Sequence, residues 1–178
     1  MRSIFAALCI SLALAGCASP PVNRDSTIPL KTVEAVDLNR YTGLWYEIAR
    51  FPNSFQQDCD AVTAQYALRE DGLISVVNTC GAGDPRSAKG RARVVDEETN
   101  SKLEVSFFGP FWGDYWIIDL DDAYTLSLVG EPEGRYLWIL SRSPQLSDER
   151  LGAALQRLRT YGYDTDALYF TDQSANLD

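Results

Sequence analysis

The stretch "YTGLWYEIARF", Tyr41 to Phe51, alternates Trp45, Glu47, Ala49 and Phe51 on one face against Tyr46, Ile48 and Arg50 on the other. Both faces carry polar and apolar residues, which a strand covering an ordinary core does not require. Strand-like runs then follow at regular spacing: Val62 to Leu68, Leu73 to Thr79, "KGRARVVD", "SKLEVSFFG", "DYWIIDLD", "YTLSLVG" and "RYLWILSR", separated by loops carrying Gly, Pro, Asp and Asn. With the opening stretch they make eight. The period changes convincingly only once, in "LSDERLGAALQRLRTYG". There Ser147 is placed as N-cap, Asp148 and Glu149 occupy the first turn, Leu151, Leu155 and Leu158 share a face, and Gly162 marks the stop. A short "ALYFTD" closes the chain. Consecutive hairpins with one late helix predict an all-β fold, an eight-stranded up-and-down antiparallel β-barrel with one C-terminal α-helix packed outside.

The first sixteen residues belong to a different pattern. Met1-Arg2 gives a positive end and Ile4 to Leu14 an apolar run too short to span a bilayer as a permanent helix. "LAGC", Leu14 to Cys17, resembles the lipobox of bacterial lipoproteins, which implies cleavage before Cys17 and lipidation on it. Residues 17–34 then read as the lipidated cysteine and a tether, "ASPPVNRDSTIPLK" being Pro-, Ser-, Asn- and Asp-rich without a period. Ala18 rather than Asp follows the cysteine, so the resemblance implies the outer membrane, with the body facing the periplasm. Residues 35–173 form the folded domain and 174–178 a C-terminal tail.

Composition narrows the function. The 178 residues carry a formal charge of −9 and a pI near 4.5, so a phosphate backbone is repelled and nucleic acid is not an expected partner. Removing residues 1–16 takes away only Arg2 among the charges, so attachment to anionic lipid has to come from acyl chains, not from electrostatics. There is no histidine, which removes the commonest zinc ligand and the commonest general base. No metal, cofactor or catalytic residue is expected, although carboxylate chemistry stays open. Of four cysteines, Cys9 leaves with the signal and Cys17 takes lipid, leaving Cys59 and Cys80. A turn at Glu70-Asp71-Gly72 brings these two near each other at the open end of a hairpin, and an oxidising periplasm favours a disulfide. The rival, a metal or catalytic thiol pair, has no histidine or third thiol to complete it.

Gly43-Leu44-Trp45 near the first strand, Asp121-Asp122 before the seventh and Arg142 ending the eighth resemble the three sequence blocks of the lipocalin family. "GLWYEIARF", "SFFGPFWG" and "YLWILSRSP" are similar to bacterial outer-membrane lipocalins and their apolipoprotein D-like relatives, and the resemblance covers about residues 35 to 173. The second block departs from the family in reading Asp-Asp-Ala-Tyr, and the cysteine pair is not a general family feature. The resemblance implies that Trp45 lies across the closed end with Arg142 stacked on it, a cation–π pair worth about 0.5–2 kcal/mol, with Gly43 allowing the tight turn beneath. These three are structural.

Alternation counted from those anchors puts Glu47, Ala49 and Phe51, and Leu140, Trp138 and Tyr136, inside the barrel, provided that no bulge intervenes. Alignment with the family favours Tyr115 and Ile117 inward, and with them Asp119, although both faces of "EVSFFG" and "DYWIID" are hydrophobic. Phe107, Phe108, Phe111 and Trp112 flank Gly109-Pro110 in a loop bordering the open mouth. The expected ligand-binding set is Glu47, Phe51, Phe107, Tyr115, Ile117, Tyr136, Trp138 and Leu140. The implied ligand is a fatty acid or lysophospholipid, held for storage or transport in membrane maintenance. A carboxylate in an apolar cavity is costly unless donors offset it, so Glu47 is read three ways: held by internal hydrogen bonds, orienting a polar head or choline-like cation, or acting as a catalytic acid. A lipocalin-type enzyme using Glu47 and a scaffold protein with a filled barrel are the alternatives. Exposed aromatics such as Trp112 fit a monomer and a homodimer equally.

Overall fold

The computed structural model describes residues 20–177. The signal peptide and Cys17 lie outside the described residues. A single turn of helix, α1 (Leu38–Tyr41), leads into β1 (Gly43–Arg50). β2 (Thr63–Leu68), β3 (Ile74–Cys80), β4 (Arg86–Val94), β5 (Lys102–Ser106), β6 (Gly113–Leu120), β7 (Leu126–Gly130) and β8 (Leu137–Ser141) follow, then α2 (Asp148–Thr160) and a short β9 (Tyr169–Phe170). From β1 to β8 each strand pairs antiparallel with its neighbour in sequence, and β1 pairs with both β2 and β8, so the eight strands close into a barrel, with β9 added beside the end of β1. Closure leaves no free edge along the paired lengths, which is how a fold made only of hairpins avoids offering a template to other chains.

Two bulges decide what lies inside. In β1 the register with β8 slips between Glu47 and Ala49, and in β6 the register with β7 slips between Ile117 and Asp119. Each extra residue resets the alternation of faces beyond it. Trp45, Glu47, Tyr115 and Ile117 face inward as expected, but Ile48, Ala49, Phe51 and Ile118 join a second, outer cluster with Leu128, Leu137 and Ile139. That outer cluster is what α2 covers, through Ala154 and Leu158 with Leu151 and Leu155 beside them. The apolar excess on both faces of β6 thus has two destinations, the lumen and the helix.

α2 begins and ends as its sequence predicts. The Ser147 hydroxyl accepts from the Arg150 amide, Asp148 and Glu149 sit in the first turn, and Gly162 at φ +84° lets the chain turn off. The tether is a correction. From Asn23 onward it is laid against the barrel rather than free: Asn23 N–H donates to the Gly134 carbonyl, Asp25 N–H to Gly162, Val33 N–H to Ile117 and Val36 N–H to Thr99. Arg24 is buried and its guanidinium donates to the carbonyls of Tyr161, Pro132 and Ile28. A lack of period hid this, because an extended segment held by backbone bonds needs none.

The lumen, its plug and its mouth

The closed end is built from the start of β1 and the end of β8. Trp45 is fully buried, its indole N–H donating to the Tyr41 carbonyl at 2.8 Å, and the Arg142 guanidinium lies 3.9 Å from its ring centroid. Arg142 also donates to the carbonyls of Arg40, Tyr41, Thr42 and Leu44 at 2.6–3.0 Å. α1 is one turn long and its last carbonyls have no partner within the helix, so the arginine supplies what the helix lacks. Gly43 sits at φ +100°, and a side chain there would stand 3.2 Å from the guanidinium. Asp121, from the second block, accepts from the amides of Thr125 and Leu126 and closes the turn into β7.

Above the tryptophan lies a floor that the sequence reading did not anticipate. The phenol of Tyr115 is 2.8 Å from that of Tyr41 and 3.0 Å from that of Tyr66, and Tyr41 reaches Ser127 at 3.2 Å. Burial pushes Tyr41 up to about 12 and raises Tyr66 and Tyr115 as well, so all three are neutral donors and acceptors at ordinary pH. Tyr41 and Tyr66 were legible only as members of strand or turn runs. Nothing in their local spacing says that they meet Tyr115 across the barrel.

Over this floor opens a cavity of about 670 Å³. Ala64, Ile74, Val76, Ala92, Leu103 and Leu140 make its apolar walls. Trp138 and Tyr136 are stacked near its upper rim, with centroids 5.9 Å apart and planes 8° from parallel, and Phe55 packs on Tyr136. Phe107 reaches the wall because Gly90 opposite has no side chain: a Cβ there would come within 2.8 Å of the ring. The mouth lies between the loops at residues 51–62, 81–85, 107–112 and 131–136, where Phe55, Phe108 and Phe111 are 61%, 79% and 76% exposed. The Cys59–Cys80 disulfide is also on the lining, tying the first of these loops to the end of β3.

Of the expected ligand-binding residues, Glu47, Phe107, Tyr115, Tyr136, Trp138 and Leu140 line the cavity. Phe51 does not. The bulge at Ile48 sends it to the outer cluster, where it packs against Tyr163 at 6.0 Å. Ile117 faces inward but is sealed within the inner cluster and does not reach the cavity wall. The same bulge turns Arg50 inward, opposite Trp138, and brings it onto Glu47 at 2.6 Å. Glu47 further accepts from Thr171 at 2.6 Å and Gln56 at 2.8 Å, so both its oxygens are engaged. Asp119, expected to share the lumen, is instead turned outward by the bulge at Ile118 and pairs with Arg157 of α2 at 2.8 Å. Asn78, passed over in the sequence, projects from β3 into the lining on the same face as Ile74 and Val76, and its buried side-chain oxygen has no protein partner. Alternation along "ISVVNTC" was the available signal for it. Among the described residues no three His, Cys, Asp or Glu side chains gather as metal ligands.

A barrel plugged at one end by a Gly-x-Trp tryptophan under an arginine, and open over a greasy lumen at the other, defines a lipocalin. The lipocalin-like domain family matches residues 36–173, and the chain belongs to that family. It is 39% identical over 177 residues to the outer membrane lipoprotein Blc of Vibrio cholerae, covering 97% of this chain and 99% of the relative. It is 32% identical over 171 residues to apolipoprotein D of Mus musculus, covering 90% and 84% respectively. Among solved structures it is similar to insecticyanin of Manduca sexta, with a TM-score of 0.66 at 21% identity over 81% of this chain and 84% of that one, which shows the shared fold.

Proposed function

We propose that the protein is an outer-membrane-anchored, periplasm-facing lipid carrier, lipidated on Cys17, that takes one fatty acid or lysophospholipid into its lumen for storage or transport in membrane maintenance. The observation that carries this reading is the 670 Å³ apolar cavity open at one end, within the size range of small-molecule sites. Each acyl methylene moved from water into such a lumen contributes about 0.8 kcal/mol, so the tail supplies affinity without any specific contact. The tail enters past Tyr136 and Trp138 toward the tyrosine floor, and the polar head stays at the rim. Asn78 offers an unpartnered side-chain oxygen, an acceptor, to a glycerol hydroxyl on the way in. The lengthwise likeness to outer membrane lipoproteins, together with the "LAGC" motif, supports the anchor.

The carrier reading is preferred to catalysis by Glu47 because that carboxylate is occupied by Arg50, Thr171 and Gln56, and Asp119 is not beside it. The decisive experiment is mass spectrometry of protein purified from its membrane without detergent, before and after organic extraction. A released fatty acid or lysophospholipid in near-stoichiometric amount is expected. An empty lumen that also takes up neither lipid when offered would refute the reading. Hydrolytic turnover abolished by Glu47→Gln would transfer the protein to the enzyme class.

A further inference from the structure

The described chain starts at the mouth, not at the base. Residues Asn23 to Asp25 pair with Gly162 to Asp164 just beyond α2, and Asn23 is bonded to Gly134 in the loop between β7 and β8. β7 ends at Gly130 and β8 starts at Leu137, so that loop belongs to the open end, where it also carries Tyr136. From there the segment runs down the outer wall, past Ile117 and Thr99, to α1 at the base. The Arg24 guanidinium fastens its upper end to Tyr161, Pro132 and Ile28, and a side chain on Gly134 would collide with Arg24. Cys17 is six residues upstream of Asn23, so even a fully extended connection keeps it within about 20 Å of the mouth loop.

Apolar exposure is concentrated at the same end. Phe55, Phe108 and Phe111 stand out from the mouth loops, more exposed than the separate aliphatic residues Leu44, Leu68 and Val95 at the other end. Aromatic side chains on loop tips beside a bilayer take up the boundary between headgroups and acyl chains. Beside them Arg91 and Arg93 lie over the Trp112 ring at 5.3 and 4.3 Å, Arg93 being also paired with Glu104 at 2.6 Å, which leaves the charge of Arg91 facing this side of a protein whose net charge is negative.

We infer that the lipid bilayer holding the anchor is also the docking partner of the mouth: the Arg24 clamp sets the barrel with its open end against that bilayer, and Phe55, Phe108 and Phe111 seat in its interface. The inference rests on the anchor reading given above and adds the orientation. Lipid then passes between bilayer and lumen without crossing the periplasm. The arrangement is directional, because the plugged end with Trp45 and Arg142 points away from the bilayer.

The test uses the full lipidated chain in phosphatidylethanolamine–phosphatidylglycerol vesicles containing lipids brominated near the headgroup, with two added tryptophan reporters. Phe108→Trp reports the mouth and Leu68→Trp the base. The extra fluorescence of the mouth reporter should be quenched at least twofold more than that of the base reporter. Adding ten Gly-Ser pairs after Val22, in an Arg24→Ala background, should lower the quenching at the mouth while the protein still floats with the vesicles. Equal quenching of the two reporters on floating protein overturns the orientation and leaves the anchor standing. A mouth reporter shielded but unquenched, in particles that cross-link as pairs, would give the mouth to a second copy of the chain. Protein that carries no acyl mass on Cys17 and stays at the bottom of the gradient overturns the anchor, and with it the inference.

Discussion

The two ends of the barrel are made from the same strands and solve opposite problems. At the base the polar groups meet one another: the Arg142 guanidinium donates to five carbonyls, the Trp45 indole shares the one at Tyr41, and three tyrosines and Ser127 close a hydrogen-bonded floor. At the mouth apolar rings are left uncovered, and Asn78 on the cavity wall keeps an oxygen without a partner. Closing a buried polar network makes it costly to open, because any broken bond leaves a desolvated group. Leaving apolar area unburied forgoes folding energy but keeps a binding surface available. Stability should therefore reside below the cavity, and exchange with lipid above it.

The largest effect should come from the base. Trp45→Ala removes a fully buried ring and is expected to lower unfolding stability by about 3–5 kcal/mol, measured by urea denaturation. Arg142→Ala should cost about 2 kcal/mol by the same measurement, since several carbonyls lose their donor at once. Either variant at wild-type stability would show that the plug is not what closes the fold.

The tyrosine floor gives a pH test of the same end. Tyr41 is raised to about 12, with Tyr66 and Tyr115 also raised, so in the fold they stay neutral while the unfolded chain ionises near its ordinary value of 10. The stability they contribute is complete below pH 10 and falls as pH climbs toward 12, by up to about 1.4 kcal/mol per pH unit for each tyrosine kept protonated. The urea midpoint should drop steeply across that window, and Tyr66→Phe should make the drop shallower. A flat profile would mean that the phenols are not held dry.

At the mouth the expected effects are smaller and concern binding. Trp138→Ala should weaken lipid affinity about tenfold, or about 1.4 kcal/mol, with the melting temperature nearly unchanged. Unchanged affinity would remove Trp138 from the site. Asn78→Ala should reduce affinity for a lysophospholipid only a few-fold, the size of one hydrogen bond to a neutral group, and leave a headless hydrocarbon probe unaffected.

The contrast also explains what the sequence could convey. Gly43, Trp45, Arg142 and the capped α2 are local or family-pattern features, and the structure places them as their residues predict. The lumen face of β8 was legible as well, because Trp138 and Leu140 lie on a strand paired without a slip to β7 and Tyr136 directly precedes that strand. Beyond Glu47 and Ile117 the reading fails, and for one reason: a bulge is a single extra residue, and no residue type marks Ile48 or Ile118 as that extra one. Phe51 was lost to the outer cluster and Arg50 turned onto Glu47 by the slip at Ile48. The slip at Ile118 carried Asp119 outside. The floor tyrosines and the tether's course depend on contacts between segments far apart in sequence, which alternation cannot report.

The most direct test is titration of the delipidated protein with a fluorescent fatty acid, followed by displacement with a lysophospholipid. A lumen open at one end and apolar along its walls predicts saturable uptake of one probe per barrel, full displacement, and loss of affinity in Trp138→Ala but not in an outer-wall change such as Trp116→Phe. Non-saturable uptake, or saturable uptake that the outer-wall change weakens and Trp138→Ala does not, would contradict it.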